Sequence, residues 1–166
     1  LWEKQEMKAA IIKLLTENAR FSLQDIAARL GITAAEADKI IKELEADKVI
    51  CGYTAILNEN ELAENYVRAL IEVKVTPQRD GGFDKIAKRL AKFAEVTDLY
   101  LVSGNYDLRV EVKGKTLQEV SNFVAAKLST IDGVLSTSTL FLLKKYKESG
   151  RIIDNDEEYN RLKICP

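Results

Sequence analysis

The residues of this sequence best suited to chemistry are charged side chains in a short segment that begins at Thr33. On a helix, Lys39 and Lys42 could neutralise phosphate, whereas Glu36 and Asp38 would repel it. A carboxylate can accept a hydrogen bond from cytosine N4, but it must first overcome the repulsion of the phosphates. The charges of this segment therefore leave open whether it binds double-stranded DNA.

Catalytic and metal-binding chemistry find little support in the composition. The chain contains no histidine, which removes the usual general base near neutral pH and the commonest nitrogen ligand for a metal. Its two cysteines, Cys51 and Cys165, lie far apart without CxxC spacing, and we expect Cys51 to be a buried structural thiol. We therefore expect a protein that is not an enzyme and that uses no metal and no cofactor.

Composition describes a folded protein with an uneven distribution of charge. The 166 residues are 46% hydrophobic and 31% charged, which suits one or two small domains. Residues 1–60 carry 8 Lys/Arg and 10 Asp/Glu, residues 61–147 carry 14 and 11, and residues 148–166 carry 3 and 5. The part with the candidate DNA contacts is thus less basic than the middle of the chain. With no apolar stretch near the ~18 residues of a membrane span and no signal-peptide pattern, we expect no membrane partner and a cytoplasmic location.

Two helix starts of the capping-box type frame the charged segment. Ser22 is followed by Asp25, and Thr33 by Glu36, at the spacing that lets each pair satisfy the free N–H groups of a helix start. Gly31 lies between them, where the end of a helix needs a residue that tolerates positive φ. This arrangement favours a helix-turn-helix. An ordinary three-helix bundle without a ligand is the alternative.

Apolar residues at helical spacing predict three helices within residues 1–50. The first runs from about Glu3 to Glu17, and Ala27 supplies the small side chain needed where the second and third helices cross closely. The inward-facing positions are Met7, Ala10, Ile11, Leu14, Leu15, Leu23, Ile26, Ala27, Leu30, Ala37, Ile40, Ile41 and Leu44.

The second part of the chain changes to the alternation that is typical of strands. We expect residues 51–65 to form a strand linker or hinge, residues 66–147 a second domain, and residues 148–166 an acidic extension. Within the second domain the pattern predicts strands and helices in the order βαββαβ, which is the ferredoxin-like arrangement. The expected fold class is therefore α+β.

The last predicted strand, from Val134 to about Tyr146, carries apolar residues toward both faces. Alternation places Leu135, Phe141 and Leu143 on one face and Val134, Leu140 and Leu142 on the other. One face should meet the two helices. The other is too apolar to remain in water, so we expect a second copy of the chain to cover it.

These features together resemble the Lrp/AsnC family of bacterial and archaeal transcription regulators. The layout fits from about Met7 to Lys147. In this order and spacing, the most specific pieces are Asn18–Arg20, Asp25–Ala27, Leu30–Ile32, Lys42–Leu44, Val49–Ile50, Ser103–Asp107 and Gly133–Val134. The resemblance implies a dimer built through the C-terminal sheets, often assembled into an octamer, that senses amino acids and controls transcription.

The resemblance also implies an effector site in the βαββαβ domain, which this family calls the RAM domain. The matching positions are Ser103, Gly104, Asn105, Tyr106, Asp107, Thr137 and Thr139. Glycine would let backbone N–H groups approach a ligand carboxylate, and Asp107 could pair with an α-ammonium group. As the alternative, Gly104 and Asn105 form a plain hairpin turn that Asp107 caps, and the two threonines occur because β-branched residues favour strands.

For DNA, the resemblance points to the start of the third helix. The candidate contacts are Ser22, Thr33, Ala35, Glu36, Asp38, Lys39 and Lys42, with Arg20, Arg29 and Lys48 as further phosphate contacts. Two hypotheses follow. The first is an amino-acid-responsive DNA-binding regulator that acts as a dimer or higher oligomer. The second is a ligand-sensing oligomer whose helix-turn-helix binds DNA weakly or serves a structural or protein-contact role.

Overall fold

In the computed structural model, which describes residues 2–62, 66–77 and 82–153, three helices are followed by a four-stranded sheet with two helices. The described residues divide into two compact units between Ile56 and Leu57. The elements are α1 (Trp2–Glu17), α2 (Leu23–Leu30), α3 (Ala34–Ala46), a 3-10 turn (Glu59–Glu61), β1 (Val67–Val75), α4 (Asp84–Leu90), β2 (Val96–Leu101), β3 (Leu108–Gly114), α5 (Leu117–Phe123), β4 (Val134–Phe141), β5 (Lys147–Glu148) and β6 (Arg151–Ile152). The predicted α+β class and the βαββαβ order are confirmed. None of the helices among these residues is both long and apolar enough to cross a membrane.

Both predicted capping boxes form and set the starts of α2 and α3. The Ser22 hydroxyl accepts from the Asp25 N–H at 3.1 Å, and the Asp25 carboxylate accepts from the Ser22 N–H at 3.1 Å. Thr33 and Glu36 repeat this exchange at 3.2 and 2.8 Å. Gly31 ends α2 with a φ of 68°, which glycine adopts at little cost because it has no Cβ. Local hydrogen bonds therefore define the helix-turn-helix.

Four residues at helical spacing fill the centre of the first unit. Ile11, Ile26, Ala37 and Leu44 are buried together, and Met7, Leu30 and Ile40 are among the partly buried residues around them. Ala27 is also buried, as expected where α2 and α3 cross. Burying these side chains is what holds three short helices together, since helices of this length are marginal in isolation.

In the linker after α3, the strand alternative is not formed, and the predicted burial of one residue is wrong. Residues 51–57 form no strand with any residue that the structure describes, because a strand needs a neighbour to satisfy its backbone groups. The prediction that Cys51 is buried is wrong: its side chain is exposed, and the thiol contacts the Lys48 carbonyl oxygen at 3.3 Å. Cys51 lies beyond the end of α3, where no element covers it.

In the second unit, an antiparallel sheet of order β2-β3-β1-β4 packs one face against the helices. Ile71 at the centre of β1 lies opposite Val110 of β3 and Thr139 of β4, so residues in register with Ile71 face the core. The aromatic rings of Phe93 and Phe123 meet edge to face, with centroids 5.6 Å apart. We call the side of the sheet that packs against the helices the core face and the opposite side the outer face.

The start and end of α5 depart from a regular helix. The Thr116 hydroxyl accepts from the Glu119 N–H at 3.1 Å, but the Glu119 carboxylate accepts from the Lys115 N–H, at 2.7 Å, rather than from Thr116, so only half of a capping box is formed. At its other end, α5 continues directly into a π-helical turn at Val124–Leu128.

The last strand is shorter than predicted. β4 ends at Phe141, and the next residue still donates its N–H to the Arg68 carbonyl oxygen at 2.9 Å. Because β1 begins at Val67, the chain then has no further partner strand. It continues into the β5–β6 hairpin, which crosses the expected domain boundary after residue 147.

A bulge also changes which residues of β4 share a face. The register shifts between Lys74 and Val75, and Val134 lies opposite the buried Val75. Val134 therefore faces the core, and grouping it with Leu140 and Leu142 was wrong. A period of two cannot reveal an inserted residue.

Candidate DNA and effector sites

Glu36, one of the two acidic residues expected to oppose DNA, is turned back onto the start of its own helix. Its carboxylate accepts from both the N–H and the hydroxyl of Thr33, each at 2.8 Å. The backbone hydrogen bond from Thr33, followed by that from its hydroxyl, holds the pKa of Glu36 below its ordinary value. The charge is thus engaged at a helix N-terminus, where a negative charge is favourable.

The other acidic residue, Asp38, forms an ion pair within α3. Its carboxylate lies 2.7 Å from the Lys42 ammonium, one helical turn away, and this hydrogen bond raises the pKa of Lys42. The two charges compensate each other locally. Lys39 is exposed and has no ion pair with any described residue, so it is the cation of this helix most available to a phosphate.

The acidic residues in the second half of α3 are engaged with other parts of the first unit. Glu43 lies 3.0 Å from Lys4 and 3.3 Å from Lys8 of α1, and the hydrogen bond from Lys4 is the main cause of its lowered pKa. Glu45 accepts from the Tyr53 hydroxyl of the linker at 2.9 Å. All four acidic residues of α3 therefore make hydrogen bonds or ion pairs within the first unit.

The remaining candidate DNA contacts occupy different settings. The Ser22 and Thr33 hydroxyls are used in the capping boxes, while Ala35 is exposed with only a methyl group to offer. Of the flanking cations, the Arg29 guanidinium lies 4.6 Å from the centre of the Phe21 ring. Lys48 occupies the turn after α3 with a positive φ of 59°. The Ser22 and Thr33 hydroxyls are thus engaged in helix starts, whereas Lys39 is exposed.

In the second unit, four of the predicted effector residues line one shallow depression. It has a volume of about 190 Å³ and is lined by Ser103, Gly104, Asn105, Tyr106, Val102 and Glu72. Glu72 was not predicted. Alternation along β1 places it on the outer face, but its position beside the loop depends on β1 lying next to β3, which the residue pattern alone does not show.

The loop offers hydrogen-bond donors, and Glu72 offers an acceptor. No described residue accepts a hydrogen bond from the backbone N–H of residues 103–106, and none donates to the Glu72 carboxylate. Gly104 has a φ of 144°, a conformation that side chains disfavour. The residues that line this depression therefore include backbone N–H groups and a carboxylate without a partner among the described residues.

Asp107 attaches this loop to β1. Its carboxylate accepts from the Val75 N–H at 2.9 Å and from the Lys74 ammonium at 3.2 Å, and its own N–H donates to the Val73 carbonyl oxygen at 3.1 Å. The backbone hydrogen bond from Val75 is the main cause of its lowered pKa. Asp107 is not among the residues that line the depression, and its carboxylate accepts hydrogen bonds from β1 rather than from the turn at Gly104 and Asn105.

Thr137 and Thr139 lie on the other side of the sheet. They are opposite Val73 and Ile71 of β1, so both face the core side, where they are half-buried on an edge strand. Glu72 is opposite Ser138 and faces outward. Within one chain, the two threonines therefore do not join the loop depression.

Comparison with known families matches both units of the chain. Residues 68–152 match the Lrp/AsnC ligand binding domain, and residues 6–50 match a winged helix-turn-helix DNA-binding domain. The chain is 42% identical to the helix-turn-helix-type transcriptional regulator YugG of Bacillus subtilis, over 97% of this chain and 98% of the relative. It is 31% identical to a helix-turn-helix-type transcriptional regulator of Pyrococcus furiosus, over 86% and 91% of the two chains.

Solved structures share the fold. The leucine response regulatory protein of Mycobacterium tuberculosis superposes with a TM-score of 0.72 at 20% identity, covering 89% of this chain and 98% of that one. A transcriptional regulator of Neisseria meningitidis, solved as a complex with L-Met, gives a TM-score of 0.67 at 22% identity, covering 86% and 91%.

Proposed function

The chain belongs to the Lrp/AsnC family and is a transcriptional regulator with a DNA-binding helix-turn-helix and a ligand-binding domain; from this premise we propose that it is an oligomer whose affinity for operator DNA responds to an α-amino acid. Its relatives are regulators rather than enzymes, and so is this protein. We place its action in the cytoplasm, where the DNA is.

For DNA, we propose that α3 enters the major groove and that the candidate contacts lie on its exposed side. The ion pair of Asp38 with Lys42 supports this proposal because it offsets the charge of Asp38, whereas Glu36 stays ionised and still opposes phosphate. Lys39 then contributes the main free positive charge. Weak contacts from each subunit suffice when an oligomer presents several at once.

A salt series with the protein's own upstream DNA tests this proposal. In fluorescence anisotropy, Lys39→Gln should weaken binding and reduce the slope of log affinity against log salt by about one per bound subunit. Lys42→Gln should also weaken binding, because it leaves the Asp38 carboxylate uncompensated, whereas Asp38→Asn should strengthen binding by releasing the Lys42 ammonium. Lys13→Gln, an exposed lysine of α1 that is not a candidate contact, is the matched control.

Absence of sequence-preferring binding at low salt, with or without amino acids, would contradict the DNA proposal. It would favour the second hypothesis, in which the helix-turn-helix has a structural or protein-contact role. Equal effects of Lys39→Gln and Lys13→Gln would contradict the assignment of Lys39 as the principal cation.

For the effector, the observation that carries the proposal is the pairing of opposite binding chemistries in one depression. Unpaired N–H groups of the loop suit an α-carboxylate, and the unpaired Glu72 carboxylate suits an α-ammonium group. We propose that residues 103–106 and Glu72 bind the common part of an amino acid, while Asp107 holds the loop in place. Thr137 and Thr139 are proposed to act from another subunit, since they lie on the opposite face of their own sheet.

Calorimetric titration with the twenty amino acids tests this assignment. Glu72→Gln should lower the affinity of any amino acid that binds by at least tenfold, because it removes the charge that faces the ammonium group. The control is Glu111→Gln, a half-buried carboxylate on the neighbouring strand that is 3.6 Å from Arg109. If the two variants bind equally well, Glu72 is not the ammonium partner.

Self-association is proposed through the apolar part of the outer face. Leu140 is 50% exposed and lies opposite the half-buried Leu70, and Leu142 continues the same row toward Arg68. A row of exposed apolar side chains such as Leu140 and Leu142 is typical of a protein–protein interface. A dimer formed this way could assemble further into an octamer.

A further inference from the structure

A groove on the core face of the second unit is separate from the loop depression. It lies where the end of β3 meets α5 and has a volume of about 290 Å³, near the lower end of the usual range for small-molecule sites. Its floor is apolar, because Val112, Val120 and Phe123 line it, and the exposed Ala126 forms one margin. Its size and lining suit a small ligand with an apolar body.

Two irregular features shape this groove. Gly114 ends β3 against α5, where a Cβ would lie only 3.0 Å from Val120 Cγ2 and 3.4 Å from Glu119 Cβ. Opposite it, the helix widens into the π-helical turn Val124–Leu128, which carries Ala126. Such single π-helical turns are rare and occur frequently at functional sites.

Four charged residues line the groove, Glu95, Lys113, Glu119 and Lys127, and two of them pair with each other at its rim. Lys127 donates to the Glu95 carboxylate, and this hydrogen bond is the main cause of the lowered pKa of Glu95. The Glu95 backbone is fixed because its carbonyl oxygen accepts from the Lys113 N–H at 2.9 Å. Both side chains remain partly exposed, so a ligand can reach either of them.

We propose that this groove is a second small-molecule site, which takes an α-amino acid with an apolar side chain. The side chain of the ligand contacts the apolar floor, its carboxylate pairs with Lys127, and its ammonium group pairs with Glu95. The ion pair between Lys127 and Glu95 is thus replaced by two ion pairs with the ligand, and the net charge of the site does not change. The site does not depend on the loop depression, because Val112 faces the core side of the sheet and Glu72 the outer side.

Photo-crosslinking of the full chain distinguishes the two sites. The probe is a diazirine analogue of L-leucine, with unlabelled L-leucine as competitor, followed by trypsin digestion and mass spectrometry. Residues 116–127 of the groove and residues 93–109, which contain the loop, fall in different tryptic peptides. Fragment ions separate a label at Glu95 from one at residues 103–106.

We expect competable labelling of residues 116–127, reduced at least tenfold in Ala126→Phe, which fills the margin of the groove. The matched control is Ala125→Phe, since Ala125 is exposed on the same turn but does not line the groove. Glu95→Gln with Lys127→Gln should reduce the label similarly and serves if Ala126→Phe does not fold. In this variant the label is read in the tryptic peptide of residues 116–144, because the cleavage site at Lys127 is lost.

Absence of competable label in residues 116–127 overturns the proposal, whatever is found in the loop. Equal loss of label in Ala125→Phe and Ala126→Phe also overturns it. Label in the groove with none in residues 103–106 supports the proposal and shows that L-leucine binds the groove without the loop. Failure of the loop site is read separately, in the titration of Glu72→Gln with the twenty amino acids, so the two failures are distinguishable.

Discussion

At the scale of single residues, carboxylates at helix starts connect the fold of the first unit to pH. Asp25 and Glu36 both accept hydrogen bonds that favour their ionised forms, and the pKa of each is lowered. A group with a lowered pKa in the folded state adds stability above its unfolded pKa, about 4 for these side chains. That stability is lost as the pH falls through the folded value.

We therefore expect acidification below about pH 4.5 to destabilise the wild type more than Asp25→Asn with Glu36→Gln. The double variant keeps acceptor atoms at both positions but cannot titrate there. Thermal melts followed by circular dichroism at constant ionic strength measure the difference. Glu6→Gln, an exposed carboxylate on α1, is the control, and an identical pH dependence in wild type and double variant would refute the linkage.

The residues of the candidate site illustrate what the sequence could and could not predict. The loop at residues 103–107 was identified because a short local motif resembles the family. Glu72 was missed because its place beside the loop depends on which strands are neighbours. Asp107 was expected to face a ligand, but the partners that engage it, Lys74 and Val75, are more than thirty residues away in sequence.

At the scale of elements, the end of α3 is held in a backbone conformation that its residue type disfavours. Lys48 has a φ of 59°, while the next N–H returns to the Leu44 carbonyl oxygen at 2.9 Å. A left-handed conformation costs a residue with a Cβ about 1 kcal/mol, and glycine avoids most of that cost. The turn is therefore maintained by the contacts around it.

Lys48→Gly should raise the free energy of unfolding of the first unit by about 0.5–1 kcal/mol. Lys39→Gly, in the middle of α3, should lower it by about 1 kcal/mol, since glycine there loses helix propensity. Urea unfolding followed by circular dichroism measures both changes. A loss of stability in Lys48→Gly would show that the lysine side chain matters more than its backbone conformation.

Elements whose features depend on nearby residues were predictable, and those that depend on distant residues were not. Capping boxes and apolar spacing are local, so the starts of α2 and α3 and the βαββαβ order followed from the sequence. The end of β4 depends instead on where β1 begins, at Val67, and the position of Val134 depends on a bulge. Burial of Cys51 was predicted from residue type, whereas its exposure follows from the absence of a covering element.

At the scale of the whole molecule, the outer face predicts how copies of the chain associate. Leu140→Asp should shift the protein toward monomers, because it places a charge in the proposed apolar interface. Leu117→Asp is the matched control. That leucine is similarly exposed, at 56%, but lies in the first turn of α5, where an acidic residue is favourable.

Light scattering coupled to size-exclusion chromatography measures the mass of each variant. If Leu140→Asp retains the wild-type mass while Leu117→Asp becomes smaller, the interface lies on the helix side instead.

The two units have separate hydrophobic cores of very different size. Among the described residues, four are buried in the core of the first unit and thirteen in that of the second. Two cores need not unfold as one cooperative event, and the smaller one has less apolar burial to oppose heat. A ligand that binds only folded protein stabilises the unit that it contacts. Calorimetric melting can then report the two ligands of this regulator independently, with DNA shifting the transition of the helical unit and an effector that of the sheet.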